Sequence, residues 1–206
     1  MQTQSTNNFV RIAIEIKHWM NGAPPINAVR PPNCPACGVA SRRVGGRIML
    51  HGHGVRERQQ RGPAAPDAAP EVASLMLRRY HCQKCGAVVT SAPETVAKHK
   101  LYSAPAIAWA LALFGALKLA ASEVRARVSP WRVVGPLNAE RWATLLRWTR
   151  AVRARSLFRR VRACPERFTL RQVAERAAMT LVALCPSHYS TAPPAVSAFF
   201  GAARGL

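Results

Sequence analysis

Cys34-Pro35-Ala36-Cys37-Gly38 and Cys82-Gln83-Lys84-Cys85-Gly86 decide how this chain is read. Each places two residues between its cysteines and a glycine directly after the second. Structural Zn²⁺ takes four soft ligands in a tetrahedron, and two such turns supply four thiolates. The spacing lets both sulfurs of a turn face one ion while nearby backbone N–H groups donate to sulfur. The trailing glycine permits the left-handed backbone that closes the turn. A single CxxC also suits redox chemistry. Two of them, separated by strand-like sequence, point to one structural zinc ion on Cys34, Cys37, Cys82 and Cys85. Free thiols or disulfides are the alternatives. His51, His53, His81 and His99 are the substitute ligands, although His81 directly precedes Cys82 and its backbone faces another way. Cys164 and Cys185 each precede proline at the ends of a predicted helix and read as helix-end packing.

Working outward from the knuckles, residues 9–17 (FVRIAIEIK) alternate apolar and polar, which predicts a half-buried strand. Asn21-Gly22 signals a turn, and Pro24, Pro25, Pro31 and Pro32 give an extended lead into the first knuckle. Residues 47–50 suit a short strand. His51-Gly52-His53-Gly54 reads as a turn or strand end. Two histidines around one residue can hold a metal for strand nicking, but glycine stands where such sites place an apolar residue. Residues 59–70 are rich in proline, alanine and glycine and predict an exposed, flexible loop. Residues 72–80 form the strand that delivers the second knuckle, and 87–91 the return strand. Strand, knuckle, long hairpin, strand, knuckle, strand is the layout of a zinc ribbon. A β-unit of this size needs the metal because it buries little apolar area.

Alanine, leucine and arginine take over near residue 93. The expected organisation is therefore α+β: an N-terminal strand and zinc ribbon over 1–92, then a basic all-α domain of helix-turn-helix type over 93–206. Ser103 caps a buried helix running to about residue 121, with Pro105 in its first turn. Ser122 caps a short helix that Ser129-Pro130 ends. Gly135-Pro136 is a break, and Asn138 caps a helix from 139 to about 158. On that helix Trp142, Leu145, Leu146, Thr149 and Val152 share one face, while Arg147 and Arg150 fall away from it. Core packing of Trp142 and Trp148 is the expected role. Thr169, with Gln172 three residues on, caps a helix to 184 that Pro186 stops. A last helix is expected over 194–202.

Charge narrows the function. The chain has 30 Lys+Arg against 9 Asp+Glu, a net +21 over 206 residues. Such an excess implies a polyanionic partner, nucleic acid before membrane surface. Asp67 is the single aspartate, and the glutamates are scattered singly, so a carboxylate cluster for metal-dependent phosphoryl transfer is not expected. No catalytic residue is assigned. Between residues 141 and 165 there are eight arginines and no acid. Like charges at i,i+4, as at Arg155 and Arg159, repel, and a bound anion relieves them. Arginine also forks onto phosphate and guanine. Arg125, Arg127 and Arg132 are the candidate base readers. Arg141, Arg147, Arg150, Arg153 and Arg155 are the candidate backbone clamps. Arg42, Arg43, Arg47, Arg56, Arg58, Arg78 and Arg79 add a basic ribbon. The N-terminus lacks a basic-then-apolar leader, and paired CxxC cysteines fit a reducing compartment. A cytoplasmic, nucleoid-associated location is expected.

CPACG, an arginine- and glycine-rich hairpin and LRRYHCQKCG together resemble the zinc-binding region of bacterial insertion-sequence transposases. The stretch 100–134 is similar to the basic segment of helix-turn-helix type that follows in those proteins, and RWATLLRW resembles the tryptophan helix they carry after it. Small transposon-linked proteins without a catalytic domain share the layout. The resemblance covers roughly residues 30–160. It implies DNA recognition by the helices, an accessory or regulatory role, and a transposase or other mobile-element protein as protein partner. The acidic triad of full transposases has no counterpart here. An RNA-binding or ribonucleoprotein subunit, and a scaffold in a larger complex, are the other readings.

Overall fold

The structure, a computed structural model, describes residues 8–42, 44–131 and 142–206. The chain divides into two compact units, one from Met1–Gln59 with Ala73–Lys98 and one from Gln60–Val72 with His99–Leu206. Mixed α+β content is as expected. The first unit closes at residue 98, and the hairpin tip groups with the helices.

Strands β1 (Phe9–Ile12), β2 (Leu50–Gly62), β3 (Glu71–Cys82) and β4 (Val88–Pro93) form a sheet of order β1-β4-β3-β2. β4 runs antiparallel to β3, with Arg79 opposite Thr90, and parallel to β1, with Phe9 also opposite Thr90. A short helix, α1 (Lys17–Met20), buries Trp19. Trp19, Val29, Leu50, Leu75, Leu77, Tyr80 and Val89 are the heart of this core, which also includes Cys34 and Cys82. Two polar ties hold the proline-rich lead against β3. The Tyr80 hydroxyl donates to the Ile26 carbonyl at 2.7 Å, and Arg78 Nε donates to the Pro24 carbonyl at 2.7 Å.

The N-terminal strand is shorter than its alternation suggests. Burial alternates as far as Ile16, but the ladder stops once Glu94 N–H has donated to the Ile12 carbonyl at 3.2 Å, because Val96 N–H, past the end of β4, turns onto the Pro93 carbonyl at 3.1 Å instead. Past β1, Ile14 N–H turns back onto the Ile12 carbonyl at 2.9 Å. β2 departs further from expectation. It begins at Leu50, and 47–50 contribute only a bridge between Arg42 and Ile48. His51-Gly52-His53-Gly54 lies inside the strand instead of ending it. Glycine at 52 leaves room for Ile26, whose Cδ1 would stand 1.9 Å from an added Cβ.

The stretch 59–70 is not a free loop. β2 continues through Gly62, and Arg61 bridges Tyr102 through Arg61 N–H to Leu101 C=O (2.8 Å) and Ser103 N–H to Arg61 C=O (3.1 Å). Gly62, at φ +109°, lies where a Cβ would stand 2.4 Å from Ala106 Cβ. The turn therefore belongs with the helix that starts at Ala104.

That helix, α2 (Ala104–Gly115), is buried along its whole length, and the Ser103 hydroxyl accepts from Ala106 N–H at 3.1 Å. It stops short of 121 because Lys118 takes a left-handed φ of +58° and Leu117 N–H reaches back to the Ala112 carbonyl. α3 (Ala121–Val128) is capped two residues earlier than expected, at Ala120. The Glu123 carboxylate accepts from Ala120 N–H at 2.8 Å, so the acid sits at the third helical position and Ser122 is already inside. α4 (Ala143–Arg153) ends before 158, since Arg155 adopts φ +56°. The Gly135-Pro136 break and the Asn138 cap lie outside the described residues. α5 (Leu170–Ala183) carries the expected Thr169–Gln172 box, and α6 (Pro194–Gly205) closes the chain. Among the described residues, no helix is long and apolar enough to cross a membrane.

α2 packs on α5 and α6. The alanine-rich composition follows from how close these axes come. A Cβ at Gly115 would stand 2.2 Å from Glu175 N, and one at Gly201 would stand 1.9 Å from the Leu181 carbonyl oxygen. Neither backbone atom can rotate away. Gly115→Ala is expected to destabilise the chain by about 2–3 kcal/mol, read as a lower denaturant midpoint at unchanged slope. An unaltered midpoint would show that α2 and α5 do not cross at that residue.

Candidate functional site

The four knuckle sulfurs converge. Cys34, Cys37, Cys82 and Cys85 place their Sγ atoms within 4.8 Å of one another, a set that could hold one metal ion. Among the described residues no histidine joins that group. Cys34 Sγ to Cys85 Sγ measures 3.8 Å and Cys37 Sγ to Cys82 Sγ 3.7 Å. The edge of a tetrahedron with metal–sulfur bonds of about 2.3 Å is about 3.8 Å. A disulfide would need about 2.05 Å, and all four cysteines are free thiols.

The two turns are built alike, which is why they can share an ion. In the first, Gly38 N–H donates to the Cys34 carbonyl (2.8 Å) and Cys34 N–H to the Val39 carbonyl (2.9 Å). In the second, Gly86 N–H donates to the Cys82 carbonyl (2.9 Å) and Cys82 N–H to the Ala87 carbonyl (2.9 Å). Gly38 and Gly86 sit at φ +72° and +71°, the left-handed region that glycine enters freely. Cys34 and Cys82 are buried in the core of the β-unit, while Cys37 and Cys85 are half-exposed. A further bond, Gln83 N–H to the Met49 carbonyl at 2.8 Å, ties the second turn to the chain leading into β2.

Electrostatics divides the four unequally. Burial acts to raise the Cys82 thiol, yet the N–H groups of Cys85 and Lys84 and the neighbouring thiols of Cys85 and Cys34 bring it down to about 7. Cys85 is pushed up to about 12, first by burial and then by the sulfurs around it. Burial also raises Cys34. Of these three sulfurs, Cys82 holds its proton most weakly. A divalent cation would displace the remaining protons, as metal–thiolate bonding requires.

The arginines divide into those the fold uses and those it leaves to solvent. Arg78 donates to the Pro24 and Ala23 carbonyls (2.7 and 3.4 Å). Arg58, half-buried, donates to the Ala97 carbonyl (3.0 Å), and burial lowers its pKa below the usual guanidinium value. Arg153 donates to the Phe168 carbonyl. These three serve as internal ties, which sequence reading had placed on a nucleic-acid surface. Arg79 and Arg125 are half-buried. Arg42 is exposed and reaches Asn27 Oδ1 at 3.5 Å. Arg47, Arg56, Arg127, Arg147, Arg150 and Arg155 are exposed. Arg43, Arg132 and Arg141 lie outside the described residues.

Trp142 and Trp148 are buried and stack edge-on with each other and with Tyr102, whose hydroxyl donates to Ser129 Oγ at 3.0 Å. They are core residues, as their spacing suggested. Trp131 is 53% exposed, with the Arg61 guanidinium 5.4 Å from its ring centre. The proline before it was the only hint that it leaves the helix. Cys164 and Cys185 stand near the two ends of α5, as expected.

No protein-family model, curated protein or solved structure matches the chain.

Loss of one buried sulfur is expected to break the centre. Cys82→Ser should abolish stoichiometric Zn²⁺ uptake, measured by competition with a chromophoric chelator, and should lower the melting temperature of the β-unit. Full uptake by that variant would remove Cys82 from the ligand set. Metal affinity of the unaltered chain should fall as pH falls, because thiol protons compete. At least about tenfold per pH unit is expected between pH 8 and 6 if one proton or more leaves per ion. A pH-independent affinity would contradict ligation by thiols.

Proposed function

We propose that the chain is a non-enzymatic, zinc-dependent DNA-binding protein, with the Cys34–Cys37–Cys82–Cys85 centre serving as a structural zinc site. Four thiolates at tetrahedral spacing, buried on one side in the core, leave no open coordination position for catalysis. Zinc suits such a set because it is soft enough for sulfur and has no redox chemistry of its own.

The observation that carries DNA binding is the outward face of α4. Arg147 and Arg150 project there, opposite the buried Leu145, Trp148, Thr149 and Val152. The chain's 9 acids cannot neutralise its 30 bases, whatever pairs form. Phosphate contacts by Arg147, Arg150 and Arg155 supply the affinity, and Arg127, in the last turn of α3, reaches base edges. A helix-turn-helix arrangement is the finer form of this reading. On the β-unit, Arg42, Arg47 and Arg56 offer a second line of phosphate contacts. The paired knuckles and their resemblance to transposase zinc regions support an accessory role beside a mobile-element protein.

Affinity for duplex DNA is expected to fall steeply with salt. Arg147→Ala with Arg150→Ala should weaken binding to all sequences alike, about tenfold or more, and make the log–log salt slope shallower by about 2. Fluorescence anisotropy on several unrelated duplexes measures both. Binding that survives 0.5 M salt unchanged would refute the role of these arginines. A structured RNA that displaces duplex DNA at equal concentration would move the assignment to RNA.

A further inference from the structure

A second basic feature involves α5 and the segment that follows α4. Arg160, Arg162, Arg176, Met179, Thr180 and Ala183 line an open hollow of about 580 Å³. Its volume falls within the range of small-molecule sites, about 300–1,000 Å³. No carboxylate lines it.

The way it is built follows from the sequence. Arg176, Met179, Thr180 and Ala183 stand at i, i+3, i+4 and i+7 on α5 and so form one stripe. The segment after α4 crosses this stripe. Phe158 takes φ +50° and turns the chain, and Val161 is buried to 2% exposure. With Val161 as the anchor, Arg160 and Arg162 on either side of it both stay exposed and line the hollow. Arg176 fixes the distance. Its Nη1 donates to the Ala163 carbonyl at 2.9 Å, and its guanidinium lies over the Phe168 ring, 4.7 Å from the centroid. The Thr180 hydroxyl donates to the Arg176 carbonyl at 2.9 Å.

Three guanidinium groups around one concavity repel each other, and that repulsion is relieved only by an anion that several of them can share. Guanidinium forks match the oxygens of a phosphate group in geometry as well as charge. Arg176, pinned by Ala163 and Phe168, is pre-oriented, so part of the ordering cost is met before a ligand arrives.

We propose that the hollow formed by Arg160, Arg162 and Arg176 is a binding site for a phosphate group carrying at least two negative charges. Such a group can come from a free phosphoryl compound or from the terminal phosphate of a nucleic-acid strand. The site goes beyond the polyanion reading of α4, since an internal phosphodiester carries one charge and needs no hollow.

Pyrophosphate is the probe, titrated calorimetrically into the zinc-loaded full chain at fixed ionic strength. One saturable site is expected. Arg160→Gln with Arg162→Gln should weaken it at least tenfold, while Arg167→Gln with Lys17→Gln, an equal loss of charge elsewhere, should leave it unchanged. No saturable binding, or equal weakening by both pairs, overturns the site. A second arm compares one single-stranded oligonucleotide with a 5′-phosphate and with a 5′-hydroxyl. A several-fold preference for the phosphate, lost in the Arg160/Arg162 variant, assigns the ligand to a strand end. Indifference, with the pyrophosphate site intact, assigns it to a free phosphoryl compound. If no oligonucleotide binds at all while pyrophosphate does, the DNA reading fails and the hollow stands.

Discussion

Four sulfur atoms within 4.8 Å of each other cannot all be ionised without a cation among them. Mutual repulsion would separate them, so sulfurs this close require either protons or a cation among them. The β-unit depends on this point. Its apolar core is modest, and two of the core's members, Cys34 and Cys82, are themselves ligands. The lead from Asn21 to Pro32 has no regular secondary structure. It is held by the Arg78 and Tyr80 bonds and by the first knuckle at its end. An ion held by the four cysteines would do for this unit what a larger hydrophobic interior does in bigger domains.

The basic excess has two uses. Where a helix ends, its last carbonyls lack partners, and this chain repeatedly answers with arginine. Arg171 donates to the Phe114 and Leu119 carbonyls after α2, and Arg204 to Leu184 after α5. These guanidinium groups replace the polar side chains or ordered waters that commonly cover helix ends, and in doing so they lock neighbouring elements together. The arginines left over, and the guanidinium N–H groups that such ties leave unused, are what a partner can reach. High positive charge here is partly architectural, so charge alone overstates the size of any polyanion surface.

Much of the local structure was legible because its chemistry is local. Ser103 and Thr169 announce helix starts through their own hydroxyls, and the two CxxCG turns announce a metal centre through spacing alone. The face shared by Trp142, Leu145, Thr149 and Val152 was readable from periodicity. What could not be read depends on residues distant in sequence. The parallel pairing of β1 with β4 leaves no mark on 9–17, and its end, where Val96 turns back onto Pro93, is written in a distant segment. His51-Gly52-His53-Gly54 has the composition of a turn, yet it is strand because β3 is beside it. The loop at 59–70 looked free because nothing near it shows that Gly62 will meet Ala106. The carbonyl ties of Arg58, Arg78 and Arg153 were illegible for the same reason: a guanidinium and the carbonyl it serves are separated by up to 55 residues.

The separation of the knuckles also bears on synthesis. Cys37 and Cys82 are 45 residues apart. At ribosomal rates of about 5–20 residues per second, roughly 2–9 s pass between the emergence of the two halves. During that interval Cys34 and Cys37 form a bare dithiol, open to oxidants and to thiol-seeking ions that prefer two ligands to four. The nascent chain thus has a window of chemical vulnerability that closes only when Cys85 arrives, and the redox state of its surroundings in those seconds decides which molecule is made.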